Sequence, residues 1–350
     1  MQRCCMPLSP DRLQRMAVRN FTLLILKKLP LYFTRSSVCA LLTFSIWIRF
    51  VIAVLLVTSL ATFSQDLDET AKMLKALSEA PGVSGYEEPA AQVFMKYLKP
   101  LADELQRDRL GSVIAIKKGA ASSPRVMIDA HLDEIGFMVK RLDENGFVKF
   151  FPLGWNFSQQ LLDHRVIIHT RKGPVLGVLN TGPDIDEEKI IPREDMWQEE
   201  ITLSGAKTVV EAVKPDIAIT LDIDVTSDIP AYTSEDYAQP VLGKGVVIIL
   251  HTAEMLPHVK LRQWVKGVAD EMKIPYQFML EEGGGTDAGP IHKWNLGVPT
   301  LDLVISQRYY HSANGIIHRN DYESAVRLIT EAIKRLDHKM LDELTFKPLK

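Results

Sequence analysis

The sequence predicts an α/β fold, a sheet covered by helices on both sides in three layers, with a small all-β unit inserted into it. Three observations predict it. Apolar strand-length runs alternate with helix-period segments after Thr208, Gly and Pro punctuate a cluster of short alternating strands between Phe147 and Val178, and a cationic apolar head precedes both.

The head comes first. Residues 1–65 carry eight Lys or Arg against one acid, Asp11, so this piece is +7, while the remainder of the chain is −10 and the whole is −3. An acidic body argues against a nucleic-acid role. Phe50 to Phe63 is an apolar run whose length suits the centre of a secretory signal; a bilayer span needs about twenty residues. Joined to the apolar run Val38–Ile48, it would make a membrane anchor with Arg49 inside it, and an upstream start with no targeting role is the third reading. Without a targeting role the protein would be cytoplasmic. The three cysteines, Cys4, Cys5 and Cys39, all lie in this head, so the body offers neither a disulfide framework nor thiolate chemistry.

The body begins at Asp66. Asp68–Ser78 reads as an amphipathic helix with Met73, Leu74 and Leu77 inward, stopped by Pro81 and Gly82, and Glu88–Leu105 reads as a second helix bent at Pro100. Strands are expected over Val113–Ile116, Val126–Ala130 and Gly136–Val139, then the short β segments from Phe147 to Val178. After Thr208 follow strand Ile217–Leu221, strand Gly245–Leu250, helix Val259–Met272, strands Tyr276–Leu280 and Thr300–Ile305, and a last helix Tyr322–Leu336 with Ala325, Leu328, Ile329, Ala332 and Ile333 on one face.

Three of these strands run into a potential metal ligand. Val126–Ala130 ends at His131, Ile217–Leu221 ends at Asp222, and Thr300–Ile305 leads within six residues to His311. Sheets of this kind collect ligands beyond the carboxyl ends of their strands, and imidazole with carboxylate suits zinc or a similar divalent ion. Asp133, two residues past His131, can face the same side and fix the imidazole tautomer; a surface strand end with ordinary polar residues is the bland alternative. Glu199-Glu200 reads either as a solvated helix start or as a divided pair, one carboxylate on an ion and its neighbour taking a proton from water. Adjacent residues do not suit a glycosidase, whose two carboxylates flank a bond about 5 to 9 Å apart. Gly283 to Gly289 (GGGTDAG) is a glycine turn that matches neither the dinucleotide nor the P-loop pattern.

Together the segments PGVSGYEEP (Pro81–Pro89), AHLDEIGFMV (Ala130–Val139), IIPREDMW (Ile190–Trp197), QEEITLSGAKT (Gln198–Thr208), LDIDVTSDIP (Leu221–Pro230), GGGTDAG and RYYHS (Arg308–Ser312) resemble the glutamyl-aminopeptidase, TET-type family, the forty-second family of metallopeptidases, over about Thr70 to Leu336. The resemblance implies an aminopeptidase acting on peptides with two divalent ions, Zn or Co. His131 and Asp222 would ligate one ion, Glu200 and His311 the other. Glu199 would be the general base, Asp133 would orient His131, and Thr286-Asp287 would form a wall of the site. Asp222 is favoured over Asp224 because the family has aspartates six apart, as Asp222 and Asp228 are. The organisation implied is a head over 1–65, a catalytic domain over 66–139 and 198–350, and an inserted β domain over 140–197 that in the family pairs subunits into homo-oligomers. One departure matters. The family carries several tens of residues after IIPREDMW, including an aspartate that bridges the two ions, whereas here Trp197 is joined directly to Gln198. Two cations about 3.5 to 4 Å apart repel strongly without a shared anionic ligand, so an incomplete site with one ion rather than two is expected. The alternative function is a catalytically impaired homologue acting as a binding or assembly subunit; glycan hydrolysis, a label given to some family members, is a third.

Overall fold

The structure is a computed structural model and describes residues 67–154, 161, 163–179, 205–226, 228, 240–281 and 283–346. The head therefore lies outside the described residues, as do Glu199 and Glu200; among the described residues no helix is long and apolar enough to cross a membrane.

Helix α1 (Glu69–Ser78) turns Met73, Leu74 and Leu77 to its half-buried side. Helix α2 (Glu88–Leu98) is shorter than expected: it closes where the Lys99 N–H bonds the Met95 carbonyl, because Pro100 has no N–H with which to continue the ladder. Its expected continuation is strand β1 (Glu104–Arg107), antiparallel to β2 (Val113–Ile116). Then come β3 (Val126–Asp129), hairpin β4 (Gly136–Leu142) and β5 (Val148–Leu153), hairpin β6 (Arg165–Thr170) and β7 (Gly173–Val178), helix α3 (Gly205–Val213), β8 (Ile217–Val225), β9 (Val246–His251), helix α4 (Val259–Glu271), β10 (Tyr276–Leu280), the short helix α5 (Ala288–His292), β11 (Thr300–Arg308), β12 (Ile316–Ile317), helix α6 (Arg319–Arg335) and helix α7 (His338–Leu344).

The central sheet runs β10-β9-β11-β8-β3, with β12 on β11. Neighbours are parallel except where β11 meets β9 and β12. Side chains alternate across a strand, and the alternation divides this sheet cleanly. Ile217, Ile219, Val246, Ile248, Leu301 and Leu303 face one layer, where Leu261, Val265 and Val268 of α4, Ala325 and Leu328 of α6 and Leu344 of α7 cover them. Met127 and Ala218 face the other, under Ala206, Val209 and Val210 of α3 and Ile291 of α5. Helices thus cover both faces, as the sequence pattern predicts. Ile333 differs from the expected inward set of α6, being 37% exposed at the rim of the packed stripe.

At the start of β9, the buried Asp321 carboxylate accepts the N–H groups of Gly243 and Gly245, each at 2.7 Å, which fixes the strand's entry against the first turn of α6. Gly245 has φ +105° and lies against the Pro275 carbonyl, where a Cβ would collide with backbone.

The two hairpins form separate two-stranded sheets. Their strands leave Met138, Phe147, Phe151, Ile167, Leu176 and Val178 more than half exposed. These are the short β segments read from the sequence, and among the described residues no further sheet closes the apolar side of either hairpin.

Leu303 is fully buried between α4 and α6 at the centre of the sheet. Leu303→Ala is expected to cost about 2–5 kcal/mol, read as a lower urea midpoint with an unchanged m-value.

Candidate active site

The sheet face under α3 and α5 is apolar at the amino ends of its strands and acidic at the carboxyl ends. In the parallel ladder Met127 pairs with Ala218, and the next residues on that face are Asp129 and Thr220, with Asp302 on β11 opposite Thr220. One step further, Asp222 stands opposite Val304, and beyond it Asp224 stands opposite Ser306. The expectation that β8 stops before Asp222 is corrected. Pairing with β11 carries the strand through Val225, so Asp222 lies within the strand and on the site face.

His131 follows β3 directly. Its Nδ1 lies 2.8 Å from the Asp133 carbonyl oxygen and 3.2 Å from Asp133 Oδ1. A carbonyl can only accept, so Nδ1 carries a hydrogen; with no cation bound Nε2 is protonated as well, toward Asp222, and loss of that proton would free its lone pair for an ion. Nε2 is 3.5 Å from Asp222 Oδ1. Asp133 is itself held: Ser84 Oγ donates to its Oδ2 at 2.6 Å, and the Ser84 loop is docked by Glu134 N–H to the Gly82 carbonyl at 2.8 Å and Gly82 N–H to Glu134 Oε1 at 3.1 Å. The PGVSGYEEP segment therefore buttresses the residue that aims the histidine. Bonded to the His131 ring and the Ser84 hydroxyl, the Asp133 carboxyl is held below its usual range, and the imidazole between Asp133 and Asp222 is pushed up to about 11.

His311 lies in the turn after β11, at φ +53°, with its ring stacked on Tyr310 at 3.9 Å between centroids and 18° between planes. Among the described residues no three His, Cys, Asp or Glu side chains form a metal-holding group, so His311 does not join the His131–Asp222 pair. Glu200, the other expected ligand, and Glu199, the expected base, lie outside the described residues.

GGGTDAG holds acids in place. Thr286 Oγ1 donates to Asp302 Oδ2 at 2.6 Å, and Thr220 Oγ1 donates to Asp302 Oδ1 at 2.8 Å. Asp287 shares a hydrogen bond with Asp129. Gly285 and Gly289 leave the space that the Glu254 side chain fills, and Gly284 leaves room for that of Glu281. Of these acids only Asp287, with Thr286 as a wall of the site, was named beforehand, from the family resemblance; Asp129, Glu254, Glu281 and Asp302 were not, because an isolated acid does not reveal which acids on other segments it faces. Desolvation pushes Asp129 and Glu281 up to about 8 and Asp224 and Asp302 up to about 7, and neighbouring carboxylates push the same way. Two buried atoms here have no hydrogen-bond partner, Asp129 Oδ2 and Ser306 Oγ.

Two donors, His131 Nε2 and Asp222 Oδ1, are spaced as neighbouring ligands of a divalent ion would be, and among the described residues no third joins them. Zinc bonds of about 2.0–2.2 Å in a tetrahedron set neighbouring donors about 3.4 Å apart, and the Nε2–Oδ1 separation of 3.5 Å matches. Surplus carboxylates at the same strand ends would be relieved by positive charge.

The M42 glutamyl aminopeptidase family profile matches residues 111–190 and 196–328, and an AMPT profile matches residues 68–94. The chain belongs to the M42 aminopeptidase family. It is 28% identical to the lysyl aminopeptidase of Pyrococcus furiosus over 349 residues, covering 76% of this chain and 98% of that protein. It is 23% identical to the glutamyl aminopeptidase of Lactococcus lactis over 77% of this chain and 98% of that protein. Among solved structures, a TET aminopeptidase from a marine sediment Thaumarchaeota archaeon superposes with a TM-score of 0.73 at 29% identity, covering 80% of this chain and 100% of that one. The chain is shortened relative to such proteins: the 349-residue match draws on about 266 residues here, 76% of the chain, and the family profile breaks between 190 and 196, beside the Trp197–Gln198 junction.

The raised carboxylates give a signed expectation. Each holds its proton more tightly folded than unfolded, where carboxyls titrate near pH 4, so the stability they contribute is complete below about pH 4 and is lost as pH rises to about 8. Chelator-treated protein should show a urea midpoint that falls from pH 5 to pH 8, and added zinc should restore it at pH 8.

Proposed function

We propose that this chain is a metal-dependent aminopeptidase that removes N-terminal residues from peptides. The observation that carries the reading is His131, with Nδ1 bonded to Asp133 and Nε2 3.5 Å from Asp222, set at the carboxyl ends of adjacent parallel strands in a chain of the M42 family. His131 and Asp222 would hold one ion, and Glu200 with His311 a second where the shortened insert permits it. A bound divalent ion polarises the peptide carbonyl and lowers the pKa of water. Glu199 takes the proton of the attacking water and passes it to the departing amine. Asp133 keeps His131 in one tautomer and orientation throughout. Residues 66–139 and 198–350 form the catalytic domain, 140–197 the remnant of the insert, and 1–65 the part that would carry export or anchoring. Two zinc or cobalt ions and assembly into homo-oligomers are properties the family resemblance lends to the reading; the missing residues weigh toward one ion.

Hydrolysis of amino-acid anilides by the full chain should be abolished by a chelator and restored by zinc or cobalt. Glu199→Gln should lower kcat about 10²- to 10⁴-fold with zinc still bound. Turnover that survives chelation, on peptides or on glycans, would exclude the proposal. Bound zinc without turnover in the unaltered chain would instead support an impaired homologue that acts by binding.

A further inference from the structure

Helix α4 begins at a histidine. The His258 N–H donates to the Thr300 carbonyl at 3.1 Å, which ties the residue to the start of β11, and its Nδ1 accepts the Leu261 N–H at 3.3 Å. Only an imidazole without a proton on Nδ1 offers that lone pair. Ser, Thr, Asn and Asp are the usual residues at a helix start, and their oxygens accept throughout the neutral range. The first turn of α4 holds no acid, and Lys260 and Arg262 stand there instead. Lys260 reaches the end of α7: its Nζ donates to the carbonyls of Glu343 at 3.1 Å and Thr345 at 3.3 Å, where the closing helix leaves acceptors open. The Phe346 ring meets both groups, with Lys260 Nζ 4.4 Å from its centre and the His258 ring edge-on at 5.5 Å. Leu344 is buried in the same core as Leu261 and Val265, so these contacts close one corner of it.

A proton on His258 acts on these contacts in one direction. Nδ1 becomes a donor facing the Leu261 N–H, a positive charge stands at the positive end of the helix, and Lys260 and Arg262 repel it. Little faces it from elsewhere to offset this. β11 offers the uncharged Thr300 carbonyl, and α7 offers Glu343, whose carboxylate is turned to Lys339 at 3.9 Å. Burial first, and then the Lys260 charge, hold the imidazole below its usual range. We propose that His258 and Lys260 form a proton-sensitive latch on the C-terminal segment: the neutral imidazole sets the first turn of α4, that turn aims Lys260, and Lys260 holds the end of α7 until His258 is protonated. A base whose folded pKa is depressed contributes stability that is complete above its unfolded value, about 6.5, and is lost as pH falls through the folded one. The latch is therefore shut at neutral pH and opens in mild acid, opposite in sign to the strand-end carboxylates. It needs no bound ion and is independent of the hydrolytic reading.

Hydrogen exchange of the full chain, corrected for the intrinsic effect of pH, tests the latch. Between about pH 7.5 and about pH 5.5, either side of an ordinary imidazole, protection over residues 258–264 and 338–346 should fall about 3- to 30-fold, while that of β8 and β11 does not fall. His258→Asn keeps a capping oxygen that does not titrate, so both segments should stay protected across the range. Lys260→Gln should expose residues 338–346 at either pH and raise the midpoint of the His258 ring-proton titration followed by NMR, a shift that a packing role alone does not produce. Protection in the unaltered chain that is constant with pH, or an equal fall in His258→Asn, would overturn the proposal. Should His258→Asn fold poorly, the midpoint in Lys260→Gln carries the test, and an unmoved midpoint would overturn the latch.

Discussion

Negative charge held on a drying surface is the constraint around which this molecule is organised. Strand alternation places Asp222 and Asp224 of β8 on the face that also carries Asp129 and Asp302, and the glycine turn brings Asp287 to Asp129. Repulsion between unit charges at such separations grows as the surroundings lose water, and hydrogen bonds alone offset only part of it. The protein answers with threonine donors on Asp302, proton sharing between Asp129 and Asp287, and a histidine between two carboxylates. Each measure keeps charge tolerable without removing it. A site arranged in this way favours cations, and that preference is the link between the sheet's geometry and the hydrolysis proposed for it.

Much of this was legible in the sequence, for identifiable reasons. Strands such as Val246–His251 and Thr300–Arg308 are buried on both faces over most of their length and are dominated by apolar residues, so their existence follows from composition. The His131–Asp133 proximity was readable because its spacing of two is local; Nδ1 lies 2.8 Å from the Asp133 carbonyl and 3.2 Å from its carboxylate. What sequence reasoning missed is non-local. No spacing rule ties Ser84 to Asp133, Thr286 to Asp302 or Arg308 to Asp228, since each pair is joined only by the tertiary fold. The error in α2 has a similar origin: Glu104–Arg107 has no strand signature of its own and becomes a strand by pairing with Val113–Ile116. The expectations for Glu199 and Glu200 fall outside the described residues and stay with the family resemblance.

Family membership and shortening have to be held together. The match to M42 proteins runs from the β2 region to α6, yet it draws on fewer residues here than the relatives supply. The loss falls beside the junction at Trp197, whereas His131, Asp222 and His311 come from parts of the fold that the junction does not interrupt. Under the proposed reading the scaffold and the His131–Asp222 pair can therefore persist, while a second ion, which also needs Glu200 beside the junction, is compromised.

The two hairpins carry a separate consequence. Among the described residues, Phe147, Phe151, Ile167 and Leu176 are exposed on two-stranded ribbons that no other strand joins. Ribbons with unpaired backbone and greasy flanks recruit further strands from whatever chain lies nearest. What covers these flanks therefore sets how the chain behaves at high concentration.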